Sequence, residues 1–465
     1  MKPAVFVMTD SSATDFLETD SSMRWLLNAV YALLLVTVLP FLLWRVFRHG
    51  RYRRGLKEKF LGRLDVPVAT RPLVWFHAVS VGEVIQLQKV VDAFREATGD
   101  RFRILITTST DTGYDLAMKR FDGCFVSWYP LDFSWAVSNA LKTVQPVMVV
   151  LMELEFWPNF LSTCYRRHIP VAVINARMGD KSFGRYQRFR FLVSPLFQGL
   201  SLAAAQSAIH SERLQALGVP KDCSKVTGSI KFDGVATARD NPKTNMLRRL
   251  FALADDANVL VAGSTQDPEE LLAITAWESL RSEFPQLRLI LVPRHKERFE
   301  AVAELTRARG HNVAQRSQLT DTQTAPAGSI LLLDTIGELG ACWGLADIAF
   351  VGGSFGKRGG QNMIEPAAYG ACVLFGPNTW NFRDVVAAFR SSSACIQLEH
   401  EAQFTDTVRH LLRHPREREQ LAASARHVVS SQQGATQSTA HLLAGLVDAE
   451  SIRLASVRLK QIDTN

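Results

Sequence analysis

From residue 73 onward, short β-rich apolar runs alternate with helical stretches in two successive series, and this pattern commits the chain to a parallel, doubly wound α/β architecture built twice. The first series predicts strands over 73–76, 104–107, 147–152, 171–175, 202–205 and 225–227. The second predicts strands over 259–262, 289–292, 330–333, 348–351, 373–375 and 396–398. Polar residues over 236–244 mark the join, and 465 residues are in any case too many for one core. The expected division is an extension over 1–22, an anchor over 23–45, a basic segment over 46–65, Rossmann-like domains over 66–235 and 245–425, and C-terminal helices over 426–465. In open sheets of this kind ligands bind beyond the strands' carboxyl ends, so a cleft between the two domains is the expected site.

The 348–351 run empties into Gly352, Gly353, Gly356, Gly359 and Gly360 around the pair Lys357-Arg358, before a helix is expected to open near Asn362. Glycines let backbone N–H groups approach a ligand, a helix start offers unpaired donors to a phosphate, and Glu365 would lie one turn inside, in reach of sugar hydroxyls. An Asn-x-x-Glu cap accounts for Asn362 and Glu365 but not for the glycines, which favours a ligand. Neither G-x-G-x-x-G nor G-x-x-x-x-G-K-[ST] occurs, which argues against a dinucleotide oxidoreductase and a P-loop ATPase.

Residues 25–44 carry no charge and have enough apolar length to cross a hydrocarbon layer, and the segment after them is basic rather than a cleavage site. Between Arg45 and Arg63 the formal charge is +7 of the chain's +8, so the remaining body is nearly neutral and nucleic acid is not an expected partner. The positive excess places the body on the cytoplasmic side. Residues 1–22 are acidic and aperiodic, read as disordered, and a true start at Met23 is the corresponding expectation. The six cysteines form no C-x-x-C pair and read as buried thiols rather than disulfides or metal ligands. A basic and aromatic stretch from Lys181 through Phe191 reads equally as a solvated helix face or as a surface for anionic head groups.

Candidate chemistry gathers at strand ends. Ser80 and Glu83 fit a capping box, but Gly82 inside the first turn favours close approach of a ligand beside a carboxylate, and Glu83 stands where a general base would. Glu153 and Glu155 follow the third strand of the first series, and a bend there would let them diverge. Pro158 suits the first turn of the next helix. Lys231 lies at the mouth of the join, where a solvated surface lysine is the default reading. Pro293-Arg294-His295, Ile336-Gly337-Glu338, and Gln266 through Glu270 all stand at strand ends of the second series.

These motifs, in order, resemble the bacterial 3-deoxy-D-manno-octulosonic acid (Kdo) transferases. The matching pieces are 80–83, 153–159, 175–177, 227–233, 293–295, 297–299, 334–339, 350–354, 359–362 and 376–377. The resemblance implies a GT-B glycosyltransferase, with two doubly wound Rossmann-like domains facing a cleft behind an N-terminal membrane helix. The first domain would take the acceptor and the second the CMP-sugar. It implies inverting transfer of Kdo from CMP-Kdo to a lipid A precursor of the lipid IVA type in lipopolysaccharide inner-core synthesis, without metal or cofactor, at the inner membrane and its anionic lipids. By that resemblance Glu83 is the proton acceptor and Glu153 and Lys231 stabilise the transition state. Pro293, Arg294, Ile336, Gly337, Glu338, Asn362, Met363, Ile364 and Glu365 contact CMP. The chain departs from the family at Gln266 and Gln361, where histidine is usual, which bears on the donor rather than on the fold. The alternative is a GT-B glycosyltransferase or epimerase using another nucleotide sugar.

Overall fold

The computed structural model describes residues 20–49, 54–67 and 69–462. It divides into a unit formed by Met1–Asp233 with Gln433–Asn465 and a second formed by Gly234–Gln432.

The first unit holds a seven-stranded sheet of β1 (Leu73–His77), β2 (Arg103–Thr108), β3 (Phe125–Trp128), β4 (Met148–Met152), β5 (Val171–Ala176), β6 (Leu202–Ala205) and β7 (Ser224–Val226). Every pairing is parallel and the order is β3-β2-β1-β4-β5-β6-β7, so the order reverses between β1 and β4. Both faces are covered, which is why the strands read as unbroken apolar runs. Leu73 and Trp75 point into one core with Leu105, Val149 and Phe160, whereas Val74 and Phe76 point into the other with Ile104, Ile106 and Val150. Each such side chain contributes about 1.5–3 kcal/mol when fully buried. The second core also contains Ala435, Ala440, Leu443 and Val447, because the chain returns at Gln433 and lays the helix Ala435–Ile462 on the helix Val81–Thr98. Asp233 fixes that return by accepting from Gly434 N at 2.7 Å and Thr436 N at 2.5 Å.

The second unit holds β8 (Asn258–Thr265), β9 (Leu287–Pro293), β10 (Val313–Gln315), β11 (Ile330–Leu332), β12 (Ile348–Val351), β13 (Cys372–Phe375) and β14 (Ile396–Gln397). The order is β10-β11-β9-β8-β12-β13-β14, again all parallel, with its reversal between β8 and β12. The two sheets bear out the doubly wound expectation. The spacing missed β3 and β10. Both are edge strands of three or four residues. The thiols are all free, and Cys164, Cys342 and Cys372 are buried.

The apolar N-terminal segment forms the helix Asp20–His49 with Pro40 inside it, so Asp20, Ser21 and Ser22 belong to a helix rather than to the expected featureless extension; residues 1–19 lie outside the described residues. Among the described residues, no helix is long and apolar enough to cross a membrane. The helix is keyed to the first unit by its few polar side chains. Asn28 donates to Ser134 Oγ at 2.7 Å and accepts from Ser134 N at 3.0 Å, while Tyr31 donates to Asp132 Oδ2 at 3.0 Å. Trp25, Leu33, Val36 and Trp44 remain exposed.

Candidate active site

In the first unit the carboxylates cluster where the sheet order reverses. β1 ends at His77, and Ser80 opens the helix Val81–Thr98. Ser80 Oγ accepts from Glu83 N at 3.3 Å and donates to Glu83 Oε1 at 2.8 Å, while Val79 N donates to Glu83 Oε2 at 2.8 Å. The capping arrangement that Gly82 argued against is therefore present. The added Cβ of an alanine at Gly82 would meet only Ser80 Oγ, at 3.9 Å, so the backbone there is open on one side. Beneath it, fully buried His77 stacks on Tyr129 with ring centroids 3.8 Å apart and contacts Thr107 O and Oγ1 at 3.1 Å. Burial lowers the His77 imidazole to about 3, so it stays neutral.

β4 delivers Glu153 with φ +55°, a left-handed backbone that a non-glycine residue adopts at a cost. The chain bends at Glu153 and Leu154, before Glu155. Burial raises the Glu83 carboxyl above the usual carboxylate range; the hydrogen bonds from Val79 and Ser80 oppose the rise, and the Glu153 charge adds to it. Burial raises Glu155 as well, followed by the charges of Glu83 and Glu153. Glu83 and Glu155 thus each sense the charge of Glu153 at the β1/β4 reversal, the position at which open α/β sheets bind ligands.

Lys231 sits half-buried in the short turn Ile230–Phe232. Asn175 ties that turn to the Glu83 helix. Its Oδ1 accepts from Ile230 N at 3.2 Å and its Nδ2 donates to Gln86 Oε1 at 3.1 Å, with Gln206 donating to its carbonyl at 3.0 Å. Asn175 is buried with φ +52°. The sequence offered Asn175 only as part of a motif; its linking role depends on strands far apart in the chain. Asp132 was missed altogether. It accepts from Asn159 N at 3.0 Å and Phe160 N at 2.8 Å, capping the helix Pro158–Arg166 that opens with Pro158 as expected.

The nucleotide-contact candidates all lie in the second unit. Arg294 is exposed beyond β9 and Ile336 is 80% exposed, while Gly337 has φ +89° with open space at its Cβ position. Glu338 accepts from Arg316 at 3.0 Å and from the Thr335 hydroxyl. Asn362 donates to Glu365 Oε1 at 2.9 Å and accepts from Ile364 N at 3.0 Å. The helix expected to open near Asn362 is present as Ile364–Ala368, a single short turn with Met363 and Ile364 buried.

The glycine-rich loop is also built otherwise than the sequence suggested. Buried Glu269, in the first turn of the helix Glu269–Leu280, accepts from Gly353 N at 2.7 Å and Gln266 N at 2.9 Å on Oε2, and from Ser354 N at 2.9 Å and Phe355 N at 3.1 Å on Oε1. The amides expected to meet a phosphate already hold a carboxylate. A Cβ at Gly352 would lie 2.7 Å from Glu269 Oε2, and one at Gly359 would collide with the Trp380 ring, so these glycines serve the protein's own packing. Among the described residues no group of three His, Cys, Asp or Glu side chains is placed to hold a metal ion.

The family model for 3-deoxy-D-manno-octulosonic-acid transferase (kdotransferase) matches residues 49–234. The 3-deoxy-D-manno-octulosonic acid transferase of Haemophilus influenzae is 33% identical over 399 residues, covering 84% of this chain and 91% of the relative. The chain belongs to the Kdo transferase family. The enzyme of that description from Bordetella pertussis is 31% identical over 427 residues, covering 89% of this chain and 97% of the relative. Among solved structures, the C-terminal CMP-Kdo binding domain of WaaA from Acinetobacter baumannii is 30% identical, covering 40% of this chain and 95% of that domain, with a TM-score of 0.37. Kdo transferases are glycosyltransferases, and the two parallel-sheet units are consistent with a GT-B-like fold.

Proposed function

We propose that this chain transfers Kdo from CMP-Kdo to a lipid A precursor of the lipid IVA type with inversion and without a metal, Glu83 acting as general base. The observation that supports it most is the cluster of Glu83, Glu153 and Glu155 at the β1/β4 reversal. The acceptor hydroxyl attacks the anomeric carbon, its proton passes to a Glu83 oxygen, and the bond from that carbon to the phosphate oxygen breaks with the electron pair leaving on CMP. Two of the roughly four acceptor positions on the Glu83 oxygens are taken by Val79 N and Ser80 Oγ, so a third hydrogen bond from a hydroxyl is available. The raised carboxyl accepts a proton more readily than an ordinary glutamate, a match of basicity that suits a general base.

Lys231 and Glu153 are the proposed transition-state stabilisers. Lys231 would neutralise the sugar carboxylate or the phosphate. Arg294 is assigned to the phosphate of CMP, and Pro293, Ile336, Gly337, Glu338, Asn362, Met363, Ile364 and Glu365 to the rest of the nucleotide. The body is assigned to the cytoplasmic face of the inner membrane, with the exposed apolar residues of Asp20–His49 and the basic residues after it meeting anionic lipid. Mass spectrometry of a lipid A precursor incubated with the protein and CMP-Kdo tests the activity: a product heavier by Kdo is expected, and transfer from a different nucleotide sugar alone overturns the assignment. Vesicle flotation tests the location. A chain starting at Val66 should bind anionic vesicles less and with less salt sensitivity, and unchanged binding moves that role to Phe189, Phe191 and Leu192, which are exposed beside Arg188 and Arg190.

A further inference from the structure

In the second unit the strand order reverses between β8 and β12, and the two loops leaving those strands are joined by one side chain. The β8 loop leads to Glu269, which is 2% exposed, and the β12 loop supplies Gly353, Ser354 and Phe355, whose N–H groups converge on it. A carboxylate this deeply buried is tolerable only when fully hydrogen-bonded, and four backbone donors achieve that. Further along, Gly360 N donates to Gly353 O at 2.8 Å, Asn378 donates to Phe355 O and Gly356 O at 3.0 Å, and Asn381 donates to Arg358 O at 2.7 Å. The loop is thus closed at its base and held along its length, and its tip presents Lys357 and Arg358 to solvent.

We propose that Glu269 is a positioning residue for the donor: by occupying the amides of Gly353, Ser354 and Phe355 it fixes the loop so that Lys357 and Arg358, not those amides, meet the anionic part of the nucleotide sugar. This rests on the reading of the second unit as the CMP-sugar domain. A ligand anion cannot use donors that already hold a carboxylate, so Lys357 and Arg358 join Arg294 in meeting its charge. The loop runs directly into Asn362–Glu365, so its placement also sets those nucleotide contacts.

Glu269→Gln in the full chain tests this. One amide oxygen cannot accept from four N–H groups, and the new NH2 faces two of them. The expected result is faster hydrogen exchange confined to residues 352–360, a KM for CMP-Kdo and a Kd for CMP raised by about tenfold, and a kcat at saturating donor close to wild type. Loss of folded protein alone would lower kcat and leave KM unchanged, which would overturn the proposal. Lys357→Ala with Arg358→Ala should raise the donor KM similarly without touching the Glu269 contacts, so it decides the matter if Glu269→Gln does not fold. A wild-type KM in that double variant overturns the role of the cations. Wild-type protein that neither binds CMP nor turns over CMP-Kdo overturns the donor-domain reading itself and the proposal with it, whereas a CMP-binding wild type matched by Glu269→Gln overturns only the role of Glu269.

Discussion

At Glu83 capping and chemistry compete for the same two oxygens, and a single substitution separates them. Glu83→Gln keeps the shape and one acceptor but cannot take a proton. It should cost about 1 kcal/mol or less in stability while slowing transfer by about two to four powers of ten, read from thermal unfolding and from the transfer rate. A wild-type rate would pass the base role to Glu155. The neighbouring charge gives an independent check through pH. Glu83 must be ionised to act, so activity should fall as pH drops through its raised pKa. Removing a like charge with Glu153→Gln lowers that pKa, and the acidic limb of the normalised kcat/KM profile should therefore move to lower pH. An unmoved limb would show that Glu83 is not the group titrating.

The N-terminal helix meets the first unit through a polar key in an otherwise apolar segment, and Asp132 is its centre. Asp132 takes hydrogen bonds from Tyr31, Asn159 N and Phe160 N, which favour its charge, yet burial outweighs them and raises its carboxyl to about 7 from 3.8. The folded state therefore keeps a proton that the unfolded chain releases above about 4. Stability from this group is greatest below that value and is lost as pH rises toward 7, at up to about 1.4 kcal/mol per pH unit. Asp132→Asn should flatten the decline of Tm between about pH 4 and 7 while lowering Tm at acid pH through the weakened cap. An unchanged slope would mean that Asp132 does not titrate there.

At the scale of the whole molecule, the chain leaves the first unit after Asp233 and comes back to it at Gln433. The helix Ala435–Ile462 completes the core of the first unit although 199 residues of the second unit separate it from Asp233. A chain ending at Gln432 should lose on the order of 5 kcal/mol from the first unit, from uncovered apolar side chains and the lost partners of Asp233, and little from the second. Calorimetry resolving two transitions would read this as a fall in one Tm only; equal falls would show that the helix is not specific to the first unit.

The sequence by itself determined the two parallel sheets, because strands buried on both faces must be apolar throughout and helices between them open at residues such as Ser80 and Pro158. It also placed Glu83, Glu153 and Arg294 at strand ends, since the end of an apolar run is visible one residue at a time. Only the tertiary structure decided which distant groups meet. Asp132 under the N-terminal helix, Asn175 between the Glu83 helix and the Lys231 turn, and Glu269 inside the glycine-rich loop are single polar residues whose partners lie dozens of positions away. Local pattern carries no record of such pairings. A glycine chosen to admit a ligand and one chosen for the protein's own packing are the same letter, and only the three-dimensional contact shows that Gly352 packs against the backbone of Ser264 and Thr265 and against Glu269.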